Sequence, residues 1–150
     1  LGMLVDVSHL NEPGFWDVLE VSTDPVLASH SNAHALCPHP RNLTDQQIRA
    51  LADRGGAIGV NFCAAFLEPS AQATSEHVVE QIAYLLQVGG EDCPALGSDF
   101  DGISQVPEGL ETYNQIPKLI GLLEKRGFGA AVIEKVMGGN LLRLCREVLG

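Results

Sequence analysis

The sequence predicts an α/β fold: four parallel strands with helices between them, forming half of a (β/α)8 barrel. Three observations carry this expectation. Short, apolar, β-branched runs alternate along the chain with helix-forming segments, the order that parallel strands with helical crossovers require. Four strands in 150 residues are half a barrel, because a whole one needs roughly 250 residues. Leu1-Gly2-Met3 runs into the first strand with no polar lead-in, which predicts an excerpt of a longer chain, with any targeting signal outside it. A small open α/β sheet is the other architecture that suits the element order. Residues 1–150 read as a single partial domain.

Each element has a local cause. Leu4–Ser8 is short and β-branched and reads as a buried strand. Phe15–Val21 follows as a short helix, with Pro13 just inside its start. Pro25–Ser29 is the second strand, and Ser31-Asn32 supplies a cap for a helical turn at Ala33–Leu36. Pro38 and Pro40 end that turn. Thr44 and Gln47 form a capping box for a helix with Ile48, Leu51 and Ala52 on one face, closed by Gly55-Gly56. Ala57–Phe62 is the third strand, and Cys63–Ala73 has no periodicity and reads as a loop. Ser75–Val88 is amphipathic through Val78, Val79, Ile82, Leu85 and Leu86. Pro94–Gly97 is the fourth strand, followed by a long loop to Asn114. Three helices complete the chain: one opened by Pro117, one over Ala130–Met137, and one capped by Asn140.

Hydrophobic residues at 45% and charged residues at 19% exclude a disordered chain. Nineteen acids against nine bases, with no basic cluster, argue against a nucleic-acid partner. No apolar run reaches the ~20 residues of a membrane span. Cys37, Cys63, Cys93 and Cys145 make no C-x-x-C, so they read as reduced, mostly buried thiols, and the expected compartment is cytoplasmic.

Three of the four strands end in a metal-ligating residue that directly follows a serine: Ser8-His9, Ser29-His30 and Ser98-Asp99. Parallel α/β folds build their sites at the carboxyl ends of strands. Alternation places His9 with Val7, His30 with Ala28 and Asp99 with Gly97, so each ligand shares a face with small or apolar residues. A lone histidine at a strand end is more often structural; three ligands at equivalent positions point to a metal or catalytic site. Imidazole plus carboxylate suits Zn2+ and tolerates Mn2+, Fe2+ or Co2+. The set fits one three-ligand site or part of a two-metal site.

The stretches Val5-Asp6-Val7-Ser8-His9, Ala28-Ser29-His30-Ser31-Asn32-Ala33, Pro40-Arg41-Asn42-Leu43, Gly97-Ser98-Asp99-Phe100-Asp101-Gly102 and Gly138-Gly139-Asn140-Leu141-Leu142-Arg143 resemble the membrane dipeptidase (renal dipeptidase) family of zinc peptidases. The resemblance covers nearly the whole chain, in order. It implies the C-terminal half of a (β/α)8 barrel of the metallo-dependent hydrolase type. It further implies two zinc ions per intact active site, a dipeptide substrate and a homodimer in the intact enzyme. His9 and His30 would bind one zinc and Asp99 the other, and Arg41 would grip the substrate's terminal carboxylate. The family's His-x-Asp pair and bridging Glu belong to its N-terminal half and have no counterpart in the expected place here. The chemistry agrees with these roles. Zinc lowers the pKa of water to about 7. A carboxylate, here Asp99, can move a proton from that water to the leaving amine. Arginine reads a carboxylate bidentately.

Two rival functions stand beside this one: a related metallo-amidohydrolase acting on another amide or a lactam, and a catalytically inert half-barrel that needs a complementing chain. Other polar residues read as structural. Asp6, on the opposite strand face from His9, is expected to make a structural hydrogen bond, and Asp101 to stabilise its turn. His34, His39 and His77 read as solvated, Asn61 as a lining residue, and Phe15 and Trp16 as core.

Overall fold

A computed structural model describes residues 2–150. Its centre is a parallel sheet of three short strands in consecutive order, β1 (Leu27–Ala28), β2 (Ala57–Val60) and β3 (Pro94–Leu96). The register pairs Ala28 with Ile58, and Gly59 with Ala95. Helix α1 (Glu12–Val21) precedes β1, and α2 (Asp45–Asp53) joins β1 to β2. A single turn α3 (Ala64–Leu67) and the long α4 (Ser75–Gly89) join β2 to β3. Helices α5 (Lys118–Lys125), α6 (Ala130–Glu134) and α7 (Asn140–Leu149) follow, α6 running into α7 through a π-type turn over Lys135–Gly139. The crossover helices pack on one side of the sheet and on each other, α2 against β2 and α4, and α4 against α5.

The helices form where capping and periodicity specify them. The Asn11 side chain accepts from Gly14 N at 2.9 Å and starts α1 at Glu12, ahead of the expected Phe15. The expected Thr44–Gln47 capping box opens α2. Ile48, Leu51, Val78, Val79, Ile82 and Leu85 are fully buried between helix and sheet. Each contributes roughly 1.5–3 kcal/mol by leaving water. Phe15 is buried in the core as expected, and Trp16, only partly buried, packs against it edge-on at 5.1 Å.

The strands are shorter than the apolar runs predict, and one cause explains most of the shortening. Near the carboxyl ends, side chains replace backbone carbonyls as acceptors. Val7 N donates to Leu27 O at 2.8 Å and Leu27 N to Val5 O at 2.9 Å, but the next amide, Ser29 N, donates to the Asp6 carboxylate at 2.9 Å. The expected strand over Leu4–Ser8 is therefore reduced to a single parallel bridge between Asp6 and Leu27. Likewise Asn61 N, just past β2, donates to the Asn32 side chain at 2.9 Å. The predicted turn at Ala33–Leu36 forms, Leu36 N and Cys37 N donating to Ala33 O at 3.2 and 3.3 Å, but without the expected cap. Asn32 is spent on Asn61 instead of capping, Ala33 N donates to Gln81 Oε1 at 2.8 Å, and Ala33 bridges Leu43. Asn140 does not cap α7 either: buried at its first turn, it donates to Glu91 O and Pro94 O, both at 2.9 Å, tying α7 to β3.

All four cysteines are free, Cys37 and Cys93 buried and Cys63 and Cys145 half-buried. Among the described residues no helix is long and apolar enough to cross a membrane. Burial pushes the Cys93 thiol from 9.0 up to about 12, against the opposing charge of Arg143. Above pH 9.0 the unfolded chain ionises this thiol while the folded chain keeps its proton. Stability should therefore fall with rising pH in that range, by up to about 1.4 kcal/mol per pH unit. Urea unfolding across the alkaline range should show this slope, and Cys93→Ala should remove that component.

Candidate active site at the carboxyl ends of the strands

The segments that leave the sheet at Ser8, Ser29, Asn61 and Ser98 bring the candidate residues to one end of it. His9 and His30 meet there, their Nε2 atoms 2.8 Å apart and their rings 4.9 Å apart. His9 has a positive φ of 74°, a left-handed turn that redirects the chain after Ser8 and sends it to α1. His30 is held from three directions. Its N donates to Ser8 Oγ at 3.0 Å, its Nδ1 meets Ser29 Oγ at 2.7 Å, and its Nε2 faces His9. Asp6 lies behind Ser29. Its Oδ1 accepts from Ser8 N and Ser29 N at 3.0 and 2.9 Å, and its Oδ2 accepts from Ser29 Oγ at 2.5 Å.

Charge and burial act on these groups together. Burial holds His30 below the ordinary imidazole range; Arg41 and His9 push the same way, and Asp99 and Asp6 oppose them. His30 therefore favours its neutral form, the form that ligates a metal. Burial would raise the Asp6 carboxyl, but the hydrogen bonds from Ser29 and Ser8 hold it below its ordinary value.

Asp99 stands at the end of β3, also with a positive φ, of 61°. Its Oδ2 accepts from Asn61 Nδ2 at 3.2 Å. It lies at the same end of the sheet as both histidines. Among the described residues no three His, Cys, Asp or Glu side chains form a group able to hold a metal ion. The Asn61 bond joins this carboxylate to the end of β2. Its charge nonetheless acts on His30 and Arg41. Asp101 is exposed in the 3-10 turn that follows.

Arg41 lies over the Phe66 ring, 5.7 Å from its centroid. His39 is not simply solvated. Its ring packs on Phe66 at 4.3 Å, and its Nδ1 accepts from Arg41 N at 3.2 Å. Phe66 O in turn accepts from Asn32 Nδ2 at 3.2 Å and Asn42 Nδ2 at 2.8 Å. His77 caps α4, its Nδ1 accepting from Thr74 N at 3.0 Å. Arg41 and His9, with Glu12, His34, Thr44 and Gln47, line a cavity of about 240 Å3 beside the histidine pair.

Asn32, Asn61 and Phe66 are the supporting residues that sequence reasoning assigned otherwise or passed over. The only signal was the rarity of asparagine beside apolar strands: a buried amide needs partners on both its ends. Asn32 finds both on the Asn61 backbone, Nδ2 donating to Asn61 O at 3.0 Å and Oδ1 accepting from Asn61 N at 2.9 Å, while the Asn61 side chain donates to Asp99 Oδ2 and accepts from Cys63 N.

Two glycines make room for the site. A Cβ on Gly97 would overlap the Ser29 carbonyl oxygen, a backbone atom; a Cβ on Gly102 would overlap Asp99 Oδ1, the far end of a side chain. Gly97→Ala should therefore destabilise by about 1–3 kcal/mol, seen as a lowered melting temperature. Gly102→Ala should leave the melting temperature almost unchanged. A crystal structure of that variant should show the Asp99 carboxylate displaced from Asn61.

A family model described as membrane dipeptidase (peptidase family M19) matches residues 1–149. An uncharacterized protein in the pqqA 5′ region of Klebsiella pneumoniae is 48% identical, over 99% of this chain and 56% of its own length. Dipeptidase tcpJ of Claviceps purpurea is 38% identical, over 99% of this chain and 35% of its own. Among solved structures, a metallo peptidase from Rhodobacter sphaeroides, liganded with a phosphinate mimic of the dipeptide L-Ala-D-Ala, superposes with a TM-score of 0.91. It is 34% identical, and the match covers 98% of this chain and 43% of that one. The chain thus spans from about a third to somewhat over half of the length of the curated relatives it matches.

Proposed function

Because the chain belongs to the membrane dipeptidase family of metallopeptidases, we propose that it serves the hydrolysis of the peptide bond of dipeptides, with His9 and His30 as metal ligands. The observation that carries this reading is the facing pair of Nε2 atoms, 2.8 Å apart, at the carboxyl ends of the strands. The donor set fits part of a zinc site: two imidazoles, one of them disfavoured from protonation by its surroundings. A catalytic zinc takes three protein ligands and keeps an open position. The proposal places the remaining ligands in the part of the relatives' length that this chain does not span. A zinc-like ion there would lower the pKa of water to about 7 and supply hydroxide at neutral pH.

The other residues take roles that follow from their surroundings. Asp99, at the same end of the sheet, is assigned both the proton and a ligand position on a second ion. Its Oδ2 is occupied by Asn61, and Oδ1 is the atom left to accept a proton and return it to the leaving amine. Arg41 borders the cavity beside His9, steadied by Phe66, and supplies a planar fork for the substrate carboxylate. The Rhodobacter metallo peptidase binds a dipeptide mimic, and a reader of the free carboxylate would favour so short a substrate.

Three variants test these roles in the full-length protein. His9→Ala and His30→Ala should each lose bound metal and nearly all dipeptide hydrolysis, because each removes one of few ligands. Metal content by elemental analysis, measured alongside turnover, decides this; full metal occupancy in either variant would refute the assignment. Arg41→Ala should chiefly raise KM, by about 1.5–3 kcal/mol, for a free dipeptide. It should change little for the C-terminally amidated one. Equal losses on both substrates would remove Arg41 as the carboxylate reader.

A further inference from the structure

Asp6 touches neither the cavity nor the histidine Nε2 pair, yet it is the best-connected carboxylate near the site. Two backbone amides and one hydroxyl converge on it from two chain segments. The protons of this chain of contacts can be counted. A carboxylate only accepts, so the single Ser29 Oγ proton points to Asp6 Oδ2. Ser29 Oγ then has only lone pairs to offer His30 Nδ1, 2.7 Å away. That contact is a hydrogen bond only if Nδ1 carries the imidazole proton. A neutral imidazole has one such proton, so Nε2 is left bare.

We propose that Asp6 is a positioning residue which, through the Ser29 hydroxyl, fixes His30 as the Nδ1–H tautomer and keeps its Nε2 lone pair directed at His9. Among the described residues His9 has no comparable partner on Nδ1, so the two histidines are unequal: His30 is preset and His9 adapts. With His30 Nε2 bare, His9 Nε2 is the donor across the 2.8 Å contact. The consequence for metal affinity rests on the proposed function; the tautomer itself does not.

The test separates the two. In the full-length, metal-free protein with 15N-labelled histidine, long-range 1H–15N spectra report which nitrogen of a neutral ring is protonated. Wild-type His30 should show a protonated Nδ1 and a bare Nε2. In Asp6→Asn the amide can still accept from Ser8 N and Ser29 N while its NH2 group donates to Ser29 Oγ. The hydroxyl then turns to donate to His30 Nδ1, and the proton should move to Nε2. Zinc affinity, measured by competition with a chelator, should fall on the order of 10–100-fold. Ser29→Ala keeps Asp6 and its two backbone bonds and carries the test if Asp6→Asn does not fold; His30 should then populate both tautomers and bind zinc more weakly.

An Nε2-protonated His30 in the wild type, or an unchanged tautomer in the folded variants, overturns the proposal, whatever the metal does. The predicted tautomers in a wild-type protein that binds no zinc would uphold the proposal and overturn the metal reading instead.

Discussion

The pair of hydrogen bonds between the Asn32 side chain and the Asn61 backbone is the contact on which the rest of the site depends. Both residues are fully buried, and the Asn32 side chain satisfies the backbone N–H and carbonyl of Asn61, so the two cannot part without stranding polar atoms away from water. The pair joins the segment that follows β1 to the end of β2. From the first segment His30 is presented, two residues before Asn32. From the second, the Asn61 side chain reaches on to Asp99 at the end of β3. The second hydrogen of Asn32 Nδ2 holds the Phe66 carbonyl, and the Phe66 ring supports Arg41. One pair of side-chain amides thereby relates a histidine, a carboxylate and a guanidinium that lie far apart in sequence.

The sheet is arranged to permit this. Its strands end early because side-chain acceptors replace ladder carbonyls, Asp6 for Ser29 and Asn32 for Asn61. The chain is thus released from β geometry where it must turn its ligands toward one another, and both His9 and Asp99 adopt left-handed backbone at that point. Gly59 and Gly97 leave the adjoining face of β2 and β3 free of side chains, and the Ser29 carbonyl fills that space. A layer that would hold branched side chains in a packed barrel interior holds backbone instead, which brings the three strand ends close together.

What distinguishes the site from a merely polar strand end is the connection of its polar groups. Asp6, Ser29 and His30 form one continuous chain of contacts, and burial disfavours the charged form of His30. Arg41, held over an aromatic ring beside the same cavity, adds a positive charge with its direction set. On the proposed reading, these features would serve a site that takes a cation on one side and a carboxylate on the other.

The sequence by itself determined the α/β alternation, the helix of the Thr44–Gln47 box, the buried faces of α2 and α4, and the candidate residues His9, His30, Asp99 and Arg41. These are legible because they rest on short-range rules: periodicity, caps, and a ligand placed after each strand. It also carried the family resemblance, since the motifs are contiguous. Only the tertiary structure decided that Asn32 clamps Asn61 instead of capping a helix, that Asn140 anchors α7, that Phe66 supports Arg41, and that Asn61 holds the Asp99 carboxylate. In each case a polar side chain chose between a local partner and a distant one, and burial settled the choice. A local cap can be replaced by water, whereas a buried carbonyl or amide has only the partner that the fold brings to it.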